Sequence, residues 1–92
     1  MYRVLVRETA YEGLREIFAY VSRDNPNAAE KLGHELLNQA LSLRTLPFRG
    51  STVRKRPDLL KLVCGNYLIY YRVKGDEHLV EILQFVHGAR IE

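Results

Sequence analysis

Tryptophan is absent from this 92-residue chain, and methionine and cysteine occur once each. A lone cysteine, Cys64, cannot close an intramolecular disulfide, and no second one offers a zinc constellation. Set between Val63 and Gly65 in a strand-like stretch, its thiol reads as buried and inert. Long apolar runs are missing too. Nothing approaches the ~20 apolar residues of a membrane span, and MYRVLVRETA holds no secretory core segment. The expected location is cytoplasmic. There is no glycine-rich phosphate loop, no nucleophile elbow, and no paired-carboxylate or metal-ligand spacing. Neither metal nor cofactor is expected.

What is present belongs to a folded protein. Apolar residues make up 47% and charged residues 27%, which argues against disorder and for a single domain over residues 1–92. The net charge is only +3 but is unevenly spread. Arg44, Arg49, Arg54, Lys55, Arg56 and Lys61 face a single opposing Asp58, a local +5 that leaves −2 for the rest. Such a segment suits an anionic partner, or simply a solvated loop.

The chain is organised around Leu62 to Arg90, which reads as three strands. Gly65-Asn66 and Gly75-Asp76 supply turn residues that tolerate positive φ. Val80, Ile82 and Val86 lie on one alternating set, and Leu79, Leu83 and Phe85 on the other, as in a strand covered on both faces. Tyr67 and Tyr71 share a face and Tyr70 with Arg72 the opposite one, so the tyrosines read as core and rim rather than base-stacking platforms.

Upstream, Tyr2 to Arg7 alternates as a short strand whose arginines suit a sheet edge. Thr9 with Glu12 matches a capping box, and Ala10, Leu14, Ile17, Phe18 and Val21 follow helical spacing. Asn25-Pro26 starts a second helix, with Ala29, Leu32, Leu36, Ala40 and Leu43 on one face, ending at Leu46-Pro47. Gly33 within it suggests close approach of the first helix. Pro47 to Asp58 reads as an irregular basic linker. The order is β-α-α-β-β-β: an α+β fold with a helical hairpin on one face of a small, mostly antiparallel sheet. The first strand's neighbour stays open.

Candidate chemistry is sparse. His34 reads as an exposed helical residue and His78 as a turn residue, whereas His87 ends a rigid strand beside Gly88 and Arg90. His87 and Arg90, with Arg56 from the linker, are the residues on which phosphodiester acid–base chemistry would rest.

Nearly the whole chain resembles one family. The residues are Leu14-x-x-Ile17-x-x-Tyr20, Asn27-Ala28-Ala29, Leu46-Pro47, Gly65-x-Tyr67-x-Ile69-x-Tyr71-Arg72-Val73, and Val80-Glu81-Ile82-Leu83 followed by His87-Gly88-x-Arg90. Together they resemble the RelE/ParE superfamily of type II toxin–antitoxin toxins. The resemblance implies a toxin neutralised by a cognate antitoxin that wraps it. RelE-like members cleave mRNA on the ribosome; ParE-like members poison DNA gyrase. Leu68 stands where RelE-like enzymes tend to carry an arginine, and no tyrosine follows Arg90, which favours the ParE-like branch. The expectation is a gyrase inhibitor acting by binding, with no catalytic residues. Arg54, Lys55, Arg56, Arg72, His87 and Arg90 would then touch the target. Leu14, Phe18, Tyr20, Leu36 and Leu37 would meet the antitoxin. The alternative is a ribosome-dependent mRNA endonuclease.

Overall fold

Nine residues, Leu79–His87, form the strand β5 on which the rest of the molecule is assembled. In the computed structural model, which describes residues 1–88, β5 lies between β1 (Arg3–Val6) and β4 (Tyr67–Lys74). The sheet continues through β3 (Arg56–Cys64) to β2 (Ser51–Val53). Its order is β1-β5-β4-β3-β2. Only the β1–β5 pair is parallel, with Val4 opposite Val80. A parallel pair needs a crossover, and helices α1 (Glu8–Ser22) and α2 (Pro26–Leu41) supply it. The open question of the first strand's neighbour is thereby answered: it is the last strand.

The helical hairpin covers one sheet face. Ala10, Leu36, Ala40 and Leu43 meet Leu62, Ile69, Tyr71, Val80, Ile82 and Phe85 in one buried cluster. The spacing of the α2 residues predicted this face, and Asn25 caps the helix by accepting from the Ala28 amide at 3.1 Å. Burial of Tyr71 is completed by its hydroxyl, which accepts from Gly50 N–H at 2.9 Å.

Several local expectations are corrected. Arg7, not Thr9, is the N-cap of α1, and Thr9 Oγ1 instead donates to Leu83 O at 2.9 Å. The close helix approach lies at Gly13, where an added Cβ would sit 2.5 Å from Phe85 O. At Gly33 nothing lies within 4 Å. The basic linker is not irregular throughout, since Val53 pairs with Arg56 across a two-residue Arg54-Lys55 turn. Lys55, the second residue of that turn, takes a positive φ of 68°. In the β4–β5 connection, a 3-10 turn at Gly75–Glu77, the positive φ (49°) falls on His78 rather than on Gly75 or Asp76. Gly65, at 62°, behaves as expected.

Candidate functional site

Strand alternation sorts the chemically active side chains. His87 pairs with Tyr67, whose ring packs against the core, so both lie on the helix side of the sheet. Their rings meet edge to face at 5.2 Å. Here, beside α1, β5 borders a groove of about 930 Å³ walled by Glu12, Glu16, Ile17, Tyr20, Gln84 and His87. Among the described residues its charged lining is acidic, Glu12 and Glu16. Two carboxylates beside His87 repel phosphate and welcome a cation or backbone N–H groups. His87 therefore reaches a cleft as its place in the strand predicts, one whose described carboxylates disfavour a polyanion.

The opposite face holds the cations. Arg72 alternates with the buried Tyr71 and points away from the helices, toward Glu81 on β5. Its Nε donates to Glu81 Oε1 at 2.7 Å, and Arg7 Nε donates to Oε2 at 2.8 Å, with Arg7 Nη2 on the same oxygen. Lys74 Nζ stands 3.6 Å from Oε1. The Glu81 side chain is 0% exposed, while Arg72 and Arg7 keep 41% and 47% of theirs in solvent. A carboxylate removed from water needs such partners. Hydrogen bonds from Arg72 and then Arg7 hold its carboxyl down to about 2, and Glu81 in turn raises Arg72. Sequence reasoning passed over Glu81, because one of its two arginine partners, Arg7 at the start of α1, is 74 residues away.

The remaining basic residues fall elsewhere. Arg54 and Lys55 form the exposed β2–β3 turn. Arg56 borders a shallow depression with Leu59, Tyr70 and Gln84, its Nε 3.4 Å from Asp58. Arg56 draws the Asp58 carboxyl below its ordinary range. Arg49 turns back to α2, donating to Gln39 Oε1 at 2.6 Å and Ser42 Oγ at 2.7 Å. There its charge faces the negative end of the helix dipole. Arg90 lies outside the described residues. The expected target-binding set is thus dispersed over a hairpin tip, an ion-paired sheet face and an acidic groove.

Of the five residues assigned to an antitoxin, Phe18 and Tyr20 are 45% and 68% exposed. Leu14 and Leu37 are half-buried against the core. Leu36 is a correction: at 1% exposure it belongs to the core and offers a partner nothing. Cys64 is half-buried, and burial pushes its thiol up. Among the described residues, no group of three His, Cys, Asp or Glu side chains is placed to hold a metal. No helix there is long and apolar enough to cross a membrane.

A family model described as the ParE toxin of the type II toxin–antitoxin system parDE matches residues 4–92. Among solved structures, the fold is similar to that of the chromosomal ParDE system from P. aeruginosa. That likeness has a TM-score of 0.78 at 22% identity, over 95% of this chain and 96% of the other. The RelBE2 toxin–antitoxin complex from Mycobacterium tuberculosis gives 0.71 at 22% identity, over 94% and 96%. The isolated E. coli RelE toxin gives 0.65 at 19% identity, over 100% and 89%. No curated protein matches the chain.

Proposed function

The chain belongs to the ParE toxin family of type II toxin–antitoxin systems, and on that footing we propose that it inhibits DNA gyrase by binding, without bond-breaking chemistry. One observation carries this reading: His87, suited to proton transfer, and the Arg7–Arg72–Lys74 cluster, suited to phosphate, lie on opposite sheet faces, and Arg56 is engaged by Asp58. A phosphodiester nuclease needs both within reach of one phosphate. Here His87 shares its groove with Glu12 and Glu16, and Arg72 is held by Glu81. The Arg54-Lys55 turn, exposed and flanked directly by Val53 and Arg56, is the contact we assign to the target. Phe18 and Tyr20, apolar surface on α1, are assigned to the cognate antitoxin.

The test has two arms on the purified chain. One follows gyrase supercoiling and trapped DNA cleavage; the other follows mRNA cleavage on translating ribosomes. Inhibited supercoiling with intact mRNA is expected, weakened in R54Q/K55Q. Cut mRNA with normal supercoiling, or silence in both arms from folded protein, would overturn the proposal.

A further inference from the structure

The Arg7–Arg72–Lys74 cluster presents a second question, since three cations, two from β4 and one from the start of α1, converge on one point. We infer that Glu81 is a built-in anion that fills this cation site on the helix-free face of the sheet and thereby denies the site to nucleic-acid phosphate. The inference rests on the reading of this chain as a binder of a protein target.

The geometry is that of an occupied anion site. Arg7 turns its Nε and Nη2, the edge a phosphate would grip, toward one carboxylate oxygen. Arg72 turns its Nε to the other. The carboxylate forms the floor, fully buried, while the cationic side chains form a rim that solvent still reaches. Without Glu81 the rim would attract any anion of phosphate size. With it, an incoming phosphate competes against a tethered carboxylate already at an effective concentration of roughly millimolar or more. One weak phosphate contact loses that competition. Glu81 is in this sense a specificity-determining residue, which excludes ligands rather than binding them.

Binding of a fluorescent ten-residue oligouridylate at low salt tests this directly. E81Q is expected to bind roughly tenfold tighter than the natural chain, with a salt slope steeper by about two phosphate contacts. E77Q removes the same charge from the exposed β4–β5 turn, and its affinity is expected to stay within about twofold of the natural chain's. Adding R7Q and R72Q to E81Q abolishes the gain. Circular dichroism reports whether E81Q folds. If it does not, the natural background still decides: R7Q leaves oligouridylate binding unchanged, whereas R54Q lowers it. Equal gains in folded E81Q and E77Q, or a loss in R7Q as large as in R54Q, would overturn the inference. Neither readout involves gyrase. A chain that cut mRNA would defeat the functional proposal instead.

Discussion

One residue change, glycine to alanine, should act with opposite sign in the two helices. At Gly13 the new methyl would stand 2.5 Å from Phe85 O, where ordinary contact begins at 3.4 Å. The obstacle is backbone in the middle of the sheet and cannot swing aside. Helix α1 would have to lift by about 0.9 Å, opening the packing of Ala10, Leu14 and Ile17 over the core. Overpacking costs about 1–3 kcal/mol, and against an immovable backbone oxygen the upper part of that range applies, about 2–3 kcal/mol, of which alanine's better helix propensity returns ~1 kcal/mol. The expected net loss is about 1–2 kcal/mol, a fall in Tm of about 5–10 °C for a domain of this size. At Gly33 nothing lies within 4 Å. Alanine there keeps only the propensity gain, about 0.5–1 kcal/mol, and raises Tm by a few degrees, on the order of 2–6 °C. Thermal and urea unfolding followed by circular dichroism measure both. A G13A chain as stable as the natural one would refute the close approach of α1 to β5.

Tyr71→Phe removes the acceptor of Gly50 N–H and is expected to cost about 1–2 kcal/mol in urea unfolding, since it leaves that donor unpaired. The acid limb of stability should report Glu81. Its carboxyl is held down at about 2, from an ordinary 4.5, so the folded state binds fewer protons than the unfolded one. The ion pairs therefore contribute fully above about pH 4.5 and are lost as pH falls toward 2, an effect worth up to about 3 kcal/mol, reduced by the solvent around the half-exposed arginines. In E81Q that slope should flatten. Leu36→Ala is expected to cost about 2–5 kcal/mol because the side chain is buried. Tyr20→Ala is expected to change stability by less than ~0.5 kcal/mol, while weakening antitoxin capture in a pull-down.

Helix faces were legible because their period is local. Ala29, Leu36, Ala40 and Leu43 recur at helical spacing, and all four are buried. Equally legible were the edge position of β1 and the opposed faces of Tyr71 and Tyr70. Strand β2 was not, because its turn uses Arg54 and Lys55, neither of which signals a positive φ. Phe18 fits the helical stripe by spacing yet stays 45% exposed, outside the cluster that Ala10, Leu14 and Ile17 join. The site suffered most. Basic residues close in sequence were read as one patch, but pairing distributes them, and the ligand of Arg7 and Arg72 was a glutamate that looked like one more polar position in a strand.

The two faces of β5 show why alternation alone could not have sorted its residues. Val80 and Ile82 face the helices, and strict alternation would then send Gln84 and Val86 to the core with Phe85 outside. The register shifts instead: Tyr71 pairs with Ile82 and Tyr70 with Gln84, so Leu83 is an extra residue. A bulge of this kind exchanges the faces of everything beyond it. Phe85 enters the core at 1% exposure, Gln84 is left in solvent, and His87 arrives on the helix side. The bulge carbonyl at Leu83 finds a donor in Thr9, which has no capping role. The same device that completes the core thus parts His87 from Arg72. A strand without the bulge would have put residue 87 on the face of Glu81, Arg7 and Arg72.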